Sequence, residues 1–315
     1  MKLTRALLLL SLFTAMLPWR AHPAFSQSAT VTCTASVGNV SFGSLAAGAG
    51  IAGQTTATVT YSCNGGSPNT NVRGCLALGS GSGGAASGNS PRYLRRSDNA
   101  ALNHNLRTSA GGPIWSTTPV VTPIPLGANG TGTASATIFA DVPAGQSSVQ
   151  AGSYSSVFSG ATNVTFSYGP GGSCSTPGAS PSFTVSANVT ASCTLSVAPL
   201  DFGTIASLAG NVDASTSVTA TCTSGVPYSI SLGLGNGSGV STPAARKMTD
   251  AANTLTYGIY QNAARTTAWG DQSSNDYDGT GTGTPQSIPV YGRVPPQPMP
   301  PAGTYRDTVV VTITY

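Results

Sequence analysis

The chain contains no glutamate, and only 7% of its residues carry charge. Once a leader is set aside it also has a single lysine, Lys247, and a single histidine, His104. Without Glu there is no bidentate residue to close an EF-hand loop. With one histidine, and with neither a Gly-x-Ser-x-Gly elbow nor a Ser-x-x-Lys pair, the usual routes to an activated nucleophile are missing. Adjacent Asp residues do not supply the opposed carboxylates of a glycosidase. The chain therefore reads as a protein that is not an enzyme. No cysteine pair is spaced as CxxC, and one histidine is too few for a zinc site, so no metal or cofactor is expected. Long apolar runs are also scarce. Residues 1–26 have the basic start (Lys2, Arg5), short apolar core (Ala6 to Leu17) and small residues (Ala24, Ser26) of a secretory signal peptide. That core is too short to span a bilayer, so the chain is expected to be exported and not an integral membrane protein. Thirteen Lys and Arg less the three in the leader, against nine Asp, leave +1, which argues against a nucleic-acid partner.

What is abundant is Gly, Ser, Thr, Ala and Val, poor material for helices and good material for strands and turns. The class is all-β. The fragment CTASVGNVSFGSLAAGAG (Cys33 to Gly50) returns 160 residues later as CTLSVAPLDFGTIASLAG (Cys193 to Gly210), with Cys33, Phe42 and Gly43 matching Cys193, Phe202 and Gly203. Each copy then runs through a Thr/Val-rich strand to a second cysteine, Cys63 or Cys222. Arg96-Ser97-Asp98 resembles Met248-Thr249-Asp250, Trp115 matches Trp269, residues 137–143 match 289–295, and AGSY (151–154) matches AGTY (302–305). One module is written twice. The pattern predicts two tandem immunoglobulin-like or Greek-key β-sandwiches, at 27–170 and 187–315, joined by a Gly/Ser/Pro-rich linker at 171–186. Phe183, Val185, Ala187 and Val189 alternate, and the pattern leaves open whether they finish the first sandwich or begin the second.

Six cysteines in an exported chain point to disulfides. The repeat narrows the fifteen pairings to Cys33–Cys63 and Cys193–Cys222 in equivalent places, which leaves Cys75–Cys174; Cys63–Cys75 is the rival. The last residues, AGTYRDTVVVTITY, read as a half-buried strand: Tyr305, Val309, Val311, Ile313 and Tyr315 fall on one face, and Arg306, Thr308, Thr312 and Thr314 on the other. A sandwich closed by such a strand has a vacant edge beside it, and the second module is expected to be incomplete there.

The Cys–Phe-Gly–Cys opening, the MTDAANTLTYGIYQNAARTTAWGD centre (Met248 to Asp271), VYGRVP and the AGTYRDTVVVTITY ending together resemble the spore coat protein U domain of secreted, pilin-like proteins. The likeness is strong over 187–315 and looser over 29–168. It implies a pilin-like subunit of an archaic chaperone-usher pilus, whose incomplete sandwich takes a strand from a periplasmic chaperone and then from an adjacent pilin at the outer-membrane usher. Tyr305, Val309, Val311, Ile313 and Tyr315 would line the acceptor side. Only Gln27 to Thr32 separate the leader from Cys33, which leaves little to donate. The expected place is the pilus tip at the cell surface, as an adhesin for surface attachment and biofilm formation. The alternative is a self-complete secreted coat or carbohydrate-binding protein.

For the binding end, the irregular stretch Pro113 to Gly127 offers Val120, Val121, Ile124 and Leu126 as a surface-binding loop. Trp115, having a counterpart in Trp269, reads as core. Arg92, Tyr93, Arg95 and Arg96, with Arg107, could meet an anionic ligand, but a solvated strand edge is the plainer reading. Asn275 to Gly279 resembles part of a calcium loop and is better read as an Asx-rich turn.

Overall fold

The computed structural model describes residues 30–46 and 51–315. The leader read at 1–26, and residues 27–29 of the short segment behind it, lie outside the described residues.

Alternation of apolar and polar residues dictates strands almost throughout, and no α-helix occurs among the described residues. The first module contains β1 (Thr32–Val37), β2 (Val40–Ala46), β3 (Gly53–Asn64), β4 (Asn71–Leu78), β5 (Arg92–Arg95), β6 (Ala101–Arg107), β7 (Val120–Pro125), β8 (Gly132–Val142), β9 (Gly152–Phe158), β10 (Val164–Pro170), β11 (Thr176–Pro177) and β12 (Phe183–Thr190). The second contains β13 (Cys193–Val197), β14 (Val212–Cys222), β15 (Pro227–Leu232), β16 (Arg246–Asp250), β17 (Asn253–Tyr260), β18 (Tyr277–Thr280), β19 (Gln286–Val294) and β20 (Val311–Thr314).

Each module is a pair of sheets. In the first, an eight-stranded sheet of order β1-β3-β8-β6-β5-β9-β12-β2 faces a four-stranded sheet of order β11-β10-β4-β7. Between them lies one apolar core that includes Val59, Tyr61, Leu76, Leu94, Trp115, Ile138, Phe158 and Phe166. In the second, β13-β14-β19-β17-β16 faces β18-β15-β20 around Val218, Ile230, Tyr257, Trp269 and Val290. The five-stranded order reproduces the first five places of the eight-stranded sheet. The last three places, those of β9, β12 and β2, hold no strand in the second module among the described residues.

The segment 183–190 belongs to the first sandwich. β12 pairs antiparallel with β9 (Phe183↔Phe158 to Val189↔Gly152) and parallel with β2 (Val185↔Val40 to Thr190↔Ala46). This moves the module boundary from the expected linker at 171–186 to the short step between Thr190 and Cys193. The physical reason is burial: Phe183, Val185, Ala187 and Val189 are at most 5% exposed, each filling the gap between two strands that would otherwise have unpaired edges.

All three disulfides form as Cys33–Cys63, Cys75–Cys174 and Cys193–Cys222. The first and third cross equivalent strand pairs, β1/β3 and β13/β14. Cys75–Cys174 ties the crossover that follows β10 to the middle of β4.

Candidate functional site

With no counterpart of β12 among the described residues, the second module has a groove. One lip is residues 200–206, which stand where β2 stands in the first module; the other is 303–309, in the place of β9, held to β16 by an isolated bridge between Thr249 and Arg306. Arg95 and Ser155 make the corresponding contact in the first module. Along the second lip, the backbone N–H groups of Tyr305, Asp307 and Val309 make no backbone hydrogen bond among the described residues.

The groove is open but already shaped. Phe202-Gly203 repeats Phe42-Gly43, and both glycines take positive φ, +66° and +68°, where a Cβ would be strained. In β2 this glycine makes a bulge, two residues lying opposite one between Ser186 and Asn188 of β12. The turn is stabilised in the same way twice: Gly43 N donates to Ser41 Oγ at 3.3 Å, and Gly203 N donates to Asp201 Oδ1 at 2.8 Å. The bulge presents the phenylalanine edge-on to the floor in both modules, Phe42 to His104 at 6.5 Å and Phe202 to Tyr257 at 6.1 Å between ring centroids. Two cavities of about 680 and 440 Å³, which share Leu200, Phe202, Met248 and Tyr305 in their linings, occupy the groove. Leu200, Phe202, Met248, Tyr257, Tyr305, Val309 and Val311 are among the residues that line them.

Exposure confirms what is missing. Val40, Leu45, Tyr154 and Phe158, the wall of the filled slot, are 0–7% exposed. Their counterparts Leu200, Ile205, Tyr305 and Val309 are all only partly buried. A polar backbone edge beside unfilled apolar pockets is the arrangement that an added β-strand satisfies, through main-chain hydrogen bonds and alternate side chains.

Of the five residues expected on the acceptor side, the structure brings Tyr305, Val309 and Val311 to the groove. It takes Ile313 and Tyr315 elsewhere. Ile313 sits opposite Ile230 within the smaller sheet, and Tyr315, 57% exposed, lines a separate hollow with Pro227 and Asp278. The terminal stretch is therefore not one strand but two pieces in facing sheets, as β9 and β10 are in the first module. The groove lies between 303–309 and 200–206, while β20 is the outermost strand of the smaller sheet. Sequence reasoning missed the 200–206 lip and Asp307; the alignment of Phe202-Gly203 with Phe42-Gly43 was the available signal for the lip.

The surface-binding loop is overturned. Residues 120–125 are β7, at the edge of the four-stranded sheet, where proline is tolerated because no ladder hydrogen bond is needed on the outer side. Ile124 and Leu126 are 0% and 4% exposed, Val120 packs on the core, and only Val121 faces outward. β18 occupies the same place in the second module, so this strand is not peculiar to the first.

The basic cluster is structural too. Arg92 is fully buried, and its guanidinium donates to the carbonyls of Leu78, Gly79 and Trp115. Arg246 makes the same clamp on Leu232, Gly233 and Trp269, with Pro243 added. In each module the tryptophan indole donates back at 2.8 Å, to Leu76 O or Ile230 O. Arg92 and Arg246 are therefore the equivalent pair, two positions away from the match of Arg96 with Met248 suggested by the sequence. Arg95 donates to Gly83 and Asn99 carbonyls, Arg96 bonds Asp98, Ala151 and Gln150, and Arg107 pairs with Asp141. Each of these arginines is engaged by groups of its own module. Asn275 closes a turn, its Oδ1 accepting from Gln272 N. Among the described residues no group of three or more His, Cys or Asp could hold a metal.

Known proteins match along most of the chain. The family model of the Spore Coat Protein U domain matches twice, at residues 21–160 and 179–312. Protein U of Myxococcus xanthus is 44% identical over 72 residues, which is 22% of this chain and 40% of that protein's length. Among solved structures, a chain of the CsuC–CsuE chaperone–tip adhesion subunit pre-assembly complex, from archaic chaperone-usher Csu pili of Acinetobacter baumannii, has a similar fold. It aligns with TM-score 0.52 and 19% identity over 90% of this chain and 100% of that one. The CupB6 tip adhesin from Pseudomonas aeruginosa aligns with TM-score 0.38 and 10% identity over 90% and 94%.

Proposed function

This chain belongs to the Spore Coat Protein U domain family, and from that premise we propose that it is a secreted subunit of a chaperone-usher pilus whose second module accepts a strand from another protein. The observation that carries this reading is the contrast between the modules: β12 fills the slot between β9 and β2 in the first, and among the described residues no strand fills the corresponding slot in the second. A periplasmic chaperone would supply the strand first. An adjacent pilin would replace it at the outer-membrane usher. The first module, complete in itself, is free to meet a surface, so the chain stands at the tip as an adhesin for attachment and biofilm formation. Similarity in fold to a chain of a chaperone–tip adhesion subunit complex supports the same placement.

Tyr315 stands where Tyr168 stands, since Ile313↔Ile230 and Phe166↔Leu76 are equivalent pairs. A copy of residues 169–190, with Cys174→Ser, appended directly after Tyr315 would therefore follow the path that fills the first slot. The extended chain should accumulate without a chaperone and should fail to enter surface fibres, whereas the parent enters them. Unchanged fibre assembly by the extended chain would refute the proposal.

A further inference from the structure

The filled slot shows what its occupant meets at each position, and the open slot has a carboxylate on its wall where the filled one has a hydroxyl. In the first module Val185 of β12 lies opposite Ser156. The two side chains are 0% and 1% exposed, and Ser156 Oγ accepts from Gly83 N at 3.0 Å. In the second module Asp307 takes the place of Ser156, and Tyr257 that of His104. Asp307 lies on the groove wall. Its Oδ2 accepts from the Tyr257 hydroxyl at 2.7 Å, and its Oδ1 from Asn236 N at 2.7 Å and from its neighbour Thr308 N.

Those bonds orient the carboxylate without neutralising it. No cationic side chain forms an ion pair with Asp307 among the described residues. Arg246 feels its field, but donates its guanidinium N–H groups to four backbone carbonyls. While the slot is open, water reaches Asp307. A strand seated as β12 is seated would cover it, and a valine opposite would bury a charge with lone pairs unmet, which is costly. A hydroxyl, amide or cationic side chain at that position would instead donate to it.

Resting on the reading that the second slot accepts a strand, we propose that Asp307 selects which strand: the partner strand carries a hydrogen-bond donor where β12 carries Val185, between apolar residues at the positions of Phe183, Ala187 and Val189. The slot then holds the chain's own β12 sequence less tightly than a strand with one polar residue facing inward. This is specificity by a penalty on the wrong occupant as much as by a contact with the right one.

The test uses the full chain carrying the appended copy of residues 169–190, in two forms: one unaltered at the copied Val185, one with Val185→Thr in the copy, a near-isosteric change that adds a hydroxyl. The readout is the melting temperature of the second module by calorimetry. The Thr form should melt at least about 3 °C above the Val form. Asp307→Ser, which restores the residue of the first module, should abolish or reverse that order, and Asp307→Asn, which keeps the shape and loses the charge, should shrink it. If the Val form is as stable as the Thr form in the otherwise unaltered chain, the selectivity assigned to Asp307 is wrong while strand acceptance stands. If neither extension raises the second transition above that of the unextended chain, strand acceptance itself fails, and this inference with it.

Discussion

Replacing Phe183 by alanine is the sharpest single test of β12 as an integral part of the first module. The Phe183 ring is 3% exposed and stacks on Phe158 with centroids 4.7 Å apart and planes 13° from parallel. Its removal leaves a cavity between β12 and β9 that strands paired on both sides cannot close. Phe→Ala at buried sites costs about 3–5 kcal/mol, of which the ring pair itself accounts for roughly 1 kcal/mol. For a module of this size each kcal/mol moves the midpoint by about 2–4 °C, so the first module should melt roughly 6–20 °C lower. Differential scanning calorimetry of the full chain, with the second module's transition as internal reference, measures the shift. Val157, on the outward face of β9 and 44% exposed, supplies the control: Val157→Ala should stay within about 0.5 kcal/mol. Equal shifts for the two variants would refute the reasoning, as would a shift confined to the second module.

Acid should weaken the first module in particular. Burial, reinforced by the nearby Arg92 cation, lowers the His104 pKa from 6.5 to about 3. The unfolded chain therefore takes up a proton that the folded chain refuses, so stability is full above pH 6.5 and falls as pH drops from 6.5 towards 3, by up to roughly 4–5 kcal/mol. His104→Leu should flatten urea midpoints over that window, and the second module, with Tyr257 in the same place, should lack this step. Replacing Cys75 and Cys174 together by serine should cost the first module about 2–4 kcal/mol, read as a lower melting temperature under non-reducing conditions. Arg246→Met should destabilise the second module by at least about 3 kcal/mol, because four carbonyls lose their donor. The matching Arg92 remains charged at neutral pH even though burial lowers its pKa to about 10, so Arg92→Met should affect the first module alike in urea denaturation.

The repeat made much of this architecture legible, because paired motifs in the same order identify equivalent strands and disulfides without reference to any contact. The 183–189 alternation was equally plain. Its owner was not, since a strand that completes one module and leads directly into the next has the same period in either role. Residues 120–126 misled because proline was taken as the mark of a loop; on an edge strand, Pro123 and Pro125 point their missing N–H groups where no ladder is needed. Arg92 misled because charge was taken as exposure. Only the tertiary clamp on three carbonyls, seen again at Arg246, explains a guanidinium in the core. The terminal stretch kept its alternation but changed sheets between Val309 and Val311, and a change of sheet leaves no trace in a period of two.

The most direct measurement is amide hydrogen exchange on the full chain, comparing Tyr154, Ser156 and Phe158 in the first module with Tyr305, Asp307 and Val309 in the second. The account predicts slow exchange for the first three, which face β12, fast exchange for the last three, and protection of the last three once the copy of residues 169–190 is appended. Equal protection of both sets in the unextended chain would contradict it, since the second slot would then already be closed.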